Sequence, residues 1–189
     1  MGQPAWHNAV EWQSQLSIFR AAQKTHTPLD YVYLRETTTI EQLQKYKVLF
    51  YPHPVLMSPE RASLLEQYTA QGGTLIIGCR SAYKDMNGRC TTDCLPGLLK
   101  PLTGTDIPEY TLVSPEDTPP LINWDGQLLE AAVFNDQLTP VLPTAQVLAL
   151  YENCYYEGTP ALIKNTIQKG TVYHYGAAFN EQAAEVFLE

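Results

Sequence analysis

The segment "CRSAYKD", residues 79–85, sets a thiol, a guanidinium, a hydroxyl and a carboxylate at the end of the short apolar run "TLIIG". A thiol at such a position in an α/β protein becomes a nucleophile when the chain turns sharply after the strand. The side chain is then exposed, and nearby backbone N–H groups can hold an oxyanion. His53 or His174 would serve as base. A tight elbow needs small residues two positions either side of the nucleophile, and Ile77 fills one of them. The competing reading of Cys79 is a small buried thiol at a strand end. Arg80 can hold an anion, and Asp85 can hold Arg80 or a sugar hydroxyl. The same residues can equally tie down an ordered loop through Ser81 and Asp85 hydrogen bonds. His53, between Pro52 and Pro54, ends a second apolar run and is either a ligand to the same crevice or a rigid corner. His174 reads as a packed or surface strand residue. His53, Arg80, Ser81 and Asp85 are therefore the candidate binding or interface residues, and Trp124 would join His53 and Ser81 in a sugar-binding module.

Other chemistries find little support. Glycosidic cleavage needs two acids held on a rigid scaffold, roughly 5–9 Å apart. Glu109, Glu116, Asp117 and Asp125 lie in proline-rich stretches with no sign of convergence. Cys90 and Cys94 have no further ligand at zinc-like spacing, so no metal is expected. Gly72-Gly73 precedes a strand and not a helix, so it is no phosphate loop. No cofactor is expected and no catalytic residue is nominated.

The elements that must position these groups read most clearly over 47–79. "KVLFYP" is an apolar run that suits a strand covered on both faces. Ser58-Pro59-Glu60 starts a helix by capping, fixed φ and dipole complementarity. Ala62, Leu65, Tyr68 and Thr69 form its apolar side, and Gly72-Gly73 ends it. "TLIIGC" is the next strand. Ahead of this unit, residues 5–24 read as an amphipathic helix with Ala9, Trp12, Leu16 and Phe19 on the apolar face. "DYVYL", 30–34, reads as a strand, and 40–46 as a short helix or turn. Residues 96–146 hold many prolines and suit short strands and extended loops. Residues 127–138 read equally as helix or strand. A strand over 143–154 leads into a hairpin flanking "IQKG", and "NEQAAEVFLE" starts a helix.

The whole-chain totals fit one α/β domain. There are 189 residues, 44% hydrophobic and 17% charged, with a formal net charge of −8. That acidity argues against nucleic acid and anionic membrane surfaces as partners. Four cysteines at this length suggest reduced thiols in a cytoplasmic protein. A doubly wound sheet normally opens with a strand, and here a helix comes first. The final helix has no stop signal. Both features suggest a fragment of a longer polypeptide.

In order and spacing, several segments resemble one family. They are Tyr46-Lys47, Pro52 to Ser58, Gly72-Gly73-Thr74, Arg80-Ser81 with Asp85 and Asn87, Pro96-Gly97 with Leu99, Gly104, Glu109, and "TPALIKNTIQKGTVYHYGAAF". Together they are similar to the middle, trimerisation domain of glycoside hydrolase family 42 β-galactosidases. Ala82 stands where the family commonly has glycine, and Gln168-Lys169-Gly170 replaces a glycine-x-glycine form. The resemblance implies a flavodoxin-like fold, akin to class I glutamine amidotransferases: a three-layer sandwich with a mainly parallel sheet, here without its first strand. It implies a single noncatalytic oligomerisation domain over 1–189, a homo-oligomer that is a trimer in the parent enzyme. The parent would hydrolyse terminal β-galactosides with glutamates in a TIM barrel absent from this chain. The loop after Cys79 would then be architectural, with Arg80, Ser81 and Asp85 bordering a neighbouring active site. The alternatives are an amidotransferase-like hydrolase using Cys79, or the sugar-binding module.

Overall fold

A computed structural model describes the backbone of residues 5–189 and side chains from residue 9 onward. Helix α1 (Ala5–Lys24) and the short α2 (Ile40–Leu43) lead into strand β1 (Val48–Tyr51). Helix α3 (Pro59–Ala70) then carries the chain to β2 (Thr74–Ile77). Ser58 caps α3, its Oγ accepting the Arg61 N–H at 3.2 Å, with Pro59 in the first turn. Leu65, Tyr68 and Thr69 are its buried residues. Gly73 lies so close to the Tyr68 ring that no side chain fits there. The Tyr68 hydroxyl donates to the carbonyls of Tyr46 and Thr74, which pins the helix to both strand ends.

The remaining strands are β3 (Thr105–Leu112), β4 (Leu121–Trp124), β5 (Gln127–Glu130), β6 (Phe134–Pro140), β7 (Ala145–Glu152), β8 (Pro160–Ile167) and β9 (Gly170–Tyr175). A short α4 (Lys100–Thr103) precedes β3, and α5 (Glu181–Leu188) closes the described chain. Seven strands form one sheet in the order β1-β2-β9-β8-β7-β4-β5, and β3 pairs with β6 in a separate ribbon.

This arrangement overturns the expected flavodoxin-like, glutamine amidotransferase-like sandwich. Only β1–β2 and β2–β9 run parallel, whereas β9–β8, β8–β7, β7–β4 and β4–β5 are antiparallel. The physical cause lies in the connections. A parallel neighbour needs a long crossover, and between β1 and β2 helix α3 supplies one. Two-residue turns, Asp125-Gly126 between β4 and β5 and Gln168-Lys169 between β8 and β9, are too short for a crossover and force antiparallel pairing. The result is a mixed, mostly antiparallel sheet. The expected strand at 30–34 does not form either; that stretch has no regular structure, with Tyr31 and Tyr33 exposed.

Helices flank the parallel end on both sides. One core joins Ile18 and Ala21 of α1 and Ala183 and Ala184 of α5 to Ile76, Tyr151, Leu162, Tyr175 and Phe179. The other joins Leu65 and Tyr68 of α3 and Leu102 of α4 to Leu75, Ile77 and Val172. Each fully buried leucine, isoleucine or valine side chain here contributes about 1.5–3 kcal/mol relative to exposure.

The apolar face expected of α1 is also corrected. Val10, Ser14, Ser17, Ile18, Ala21 and Ala22 are buried, while Trp12 and Leu16 are 72% and 44% exposed. The small Ser14 wins the inner position because its Oγ accepts the Phe179 N–H at 3.1 Å. Bulk at that contact would hold α1 off the strand-to-helix connection before α5.

Candidate functional site

The candidate residues gather where β1 and β2 end. Gly78 follows β2 so close to the Pro52 carbonyl that a side chain there would collide with it. That contact brings the two strand-end loops together. His53 Nδ1 lies 3.0 Å from the Cys79 carbonyl oxygen and ties one loop to the other. Ser81 is fully buried, and its hydroxyl donates to the Gly78 carbonyl at 2.5 Å. Arg80 and Ala82, either side of it, both take left-handed backbone conformations, with φ of 55° and 51°. The loop is a tight double reversal locked from within, and Ser81 serves that locking.

The Arg80 guanidinium lies over three aromatic rings, 4.3 Å from the centroid of Tyr83, 4.4 Å from Tyr110 and 5.2 Å from Phe134. Tyr110 and Phe134 are themselves stacked at 5.4 Å. Cation–π attraction holds the cation without fixing its hydrogen-bond donors, and its buried Nε makes no hydrogen bond. Below it the backbone N–H of Arg80 donates to Asp136 Oδ2 at 2.6 Å. Asp136, on β6, is fully buried and its Oδ1 has no hydrogen-bond partner. Burial pushes its carboxyl up to about 7, against the lowering effect of the Arg80 N–H and charge.

The Arg80–Asp136 pairing is the element that sequence reasoning missed. Asp136 lies 56 positions away in "FNDQL", with no local signal that the strand would bury an acid. Asp85, which was expected to hold Arg80 or a sugar, instead closes its own turn. Its carboxylate accepts the N–H groups of Asn87 and Arg89, both at 2.9 Å, and these backbone bonds hold it below the usual carboxylate range. The structure therefore joins Arg80 to Asp136 and His53 to the Cys79 backbone, and sets Asp85 apart on the exposed turn.

Cys79 is fully buried among Val10, Phe134 and Ala178. Burial and the nearby Asp136 push its thiol well above its ordinary pKa, the opposite of what a nucleophile needs. His174 is fully buried on β9, where burial pushes it down to about 3. Its Nδ1 contacts the Thr105 hydroxyl at 2.7 Å, and Thr105 donates onward to Thr103 at 2.8 Å. That chain makes Nδ1 the donor and leaves Nε2 without a partner. Trp124 packs against Phe187 of α5, 5.0 Å between ring centroids, as part of the main core. The structure supports neither the thiol hydrolase nor a sugar crevice containing Trp124.

Comparison with known proteins gives this geometry its context. The family profile described as the β-galactosidase trimerisation domain matches residues 6–189. The β-galactosidase BgaA of Clostridium cellulovorans is 31% identical over 140 residues, covering 74% of this chain and 21% of that protein. The β-galactosidase GanA of Bacillus subtilis is 28% identical over 153 residues, covering 80% of this chain and 22% of its own length. Among solved structures, a β-galactosidase from Bacillus circulans sp. alkalophilus superposes with a TM-score of 0.80 at 24% identity, over 91% of this chain and 25% of that one. This chain thus spans about a fifth of the curated relatives it matches. With the profile running from the first turn of α1 to the last residue, the chain belongs to the β-galactosidase trimerisation domain family.

Proposed function

We propose that this chain is a noncatalytic oligomerisation domain of a β-galactosidase that hydrolyses terminal β-galactosides, three copies of it helping to hold three subunits together. The observation that carries this reading is the family match over 6–189. The locked loop supports it: Ser81 Oγ, His53 Nδ1 and Asp85 Oδ1 each bond the backbone of the two strand-end loops. Bonds of this kind fix the shape of the loop, as an architectural role requires. Arg80 is the exception, a cation held by aromatic rings, and in this reading it meets a neighbouring subunit near that subunit's active site. The carboxylates that break the glycosidic bond belong to the rest of the parent polypeptide. A cytoplasmic location and a single-domain organisation of residues 1–189 are part of the same reading. Among the described residues no helix is long and apolar enough to cross a membrane.

The test is hydrolysis of a chromogenic β-galactoside by the isolated chain. The expected result is no turnover above background at any concentration. Turnover that disappears when an acid of this chain is replaced would overturn the proposal.

A further inference from the structure

Asp136 and Arg80 each leave one polar atom unpaired at their contact. Asp136 Oδ2 accepts the Arg80 backbone N–H at 2.6 Å, while Asp136 Oδ1 and Arg80 Nε, both buried, have no hydrogen-bond partner. An ionised carboxylate oxygen is an acceptor and a guanidinium N–H is a permanent donor. Strand register sets the two groups side by side. Asp136 stands opposite Tyr110 in the β3–β6 ribbon, and Phe134 lies two residues before it, so the three side chains share one face. The Arg80 guanidinium lies over the rings of Tyr110 and Phe134, and so beside the carboxyl. The Asp136 backbone is pinned. Its N–H donates to the Gly176 carbonyl at 2.7 Å, and its carbonyl accepts the Tyr151 hydroxyl at 3.0 Å. The Arg80 side chain is held by ring faces, an attraction that does not fix its donors, so it is the partner able to move.

The other groups around Asp136 leave the response to Arg80. Cys79 comes from the loop after β2, Tyr151 from β7, Tyr175 from β9 and Tyr110 from β3. Burial raises the Cys79 thiol and the Tyr151 and Tyr175 hydroxyls, so all three are neutral when the acid ionises. Helix α1 presents the apolar Val10 to Cys79 and Phe134. Lys84 reaches the cage only at Tyr83, 5.2 Å from the ring centroid. A buried carboxylate with a single hydrogen bond is costly, and a guanidinium donor turned onto it is the compensation at hand. With the acid neutral that gain is absent, and the rings keep the cation.

We propose that Asp136 and Arg80 form a proton-operated latch on the loop after β2. When Asp136 is neutral, the guanidinium lies among Tyr83, Tyr110 and Phe134. When Asp136 gives its proton to water, Arg80 Nε–H turns to Oδ1 and the cation is drawn off the rings. The latch stands whether or not copies of the chain associate. The test is a titration of the full chain from about pH 5 to 9 by nuclear magnetic resonance, reading the Arg80 Nε–H and the Tyr110 ring protons. Arg80→Lys identifies the Nε–H signal by its loss. The expected result is a downfield shift of that signal as pH rises, with exchange slowed at least about tenfold relative to the other arginines. The Tyr110 ring protons should move with the same midpoint, and Asp136→Asn should flatten both curves. The carboxyl carbon of Asp136 in the native chain should share that midpoint, which keeps the test decisive if the Asn variant does not fold. Constant Nε–H and ring signals while the Asp136 carboxyl titrates would overturn the latch. So would curves unchanged in Asp136→Asn, or an Asp136 carboxyl that does not titrate in this range.

Discussion

Gln168 and Ala82 show how a single backbone angle carries a consequence for stability. Both occupy the left-handed region, with φ of 50° and 51°, and both stand where the resemblance to the family leads one to expect glycine. A side chain there costs about 1–2 kcal/mol, partly offset by the about 0.5–1 kcal/mol of chain entropy that glycine gives up on folding. Gln168 is exposed in the turn between β8 and β9, so it loses little else on replacement. Gln168→Gly should raise stability by about 0.5–1 kcal/mol in urea denaturation. Ala82 is buried in the core that contains Leu99 and Met57, so Ala82→Gly should gain less or nothing, because a packed methyl is lost as well. Cys79 gives a second prediction at this scale. Its burial and raised thiol pKa mean that iodoacetamide should label the two exposed cysteines, Cys90 and Cys94, long before Cys79. Rapid, selective labelling of Cys79 in the folded chain would contradict its structural role.

At the scale of elements, the β1–α3–β2 unit was legible in the sequence because each boundary has a local cause. Ser58-Pro59 starts the helix, Gly72-Gly73 ends it, and the apolar runs are continuous. Ser58→Ala should therefore cost about 1 kcal/mol, measured as a fall in the urea midpoint without a change of slope. An unchanged midpoint would mean that the Ser58 to Arg61 N–H bond contributes nothing in solution. The antiparallel half was not legible. Short alternating strands such as Leu121–Trp124 and Gln127–Glu130 announce that they are strands, but alternation says nothing about which strand each will meet or in which direction. The α1 stripe was misassigned for a related reason. Hydrophobicity favours Trp12 and Leu16 for the core, yet the close approach to Phe179 requires the small Ser14 at that contact. The candidate site was legible in its residues and not in its pairing, since Arg80 meets Asp136 only once β2 and β6 are folded together.

At the scale of the whole molecule, two buried titratable groups pull stability in opposite directions. Asp136 holds its proton up to about pH 7 in the fold, so its contribution is complete below the unfolded carboxyl value and is lost as pH rises through about 7. His174 stays neutral down to about pH 3, so its contribution is complete above the unfolded imidazole value and is lost as pH falls below it. Between about pH 4 and 6.5 the two slopes oppose, each worth at most several kcal/mol at about 1.4 kcal/mol per pH unit. Relative to the native chain, Asp136→Asn should make stability rise with pH across that window, and His174→Asn should make it fall. Denaturant midpoints at several pH values measure both, and identical slopes in the two variants would contradict the assignment.

In the proposed function this chain meets copies of itself and leaves bond-breaking to other parts of a parent enzyme. Light-scattering mass across increasing concentration tests it most directly. A mass rising from 21.2 kDa towards three times that value is the predicted result. A mass that stays at 21.2 kDa up to the highest attainable concentration would contradict it.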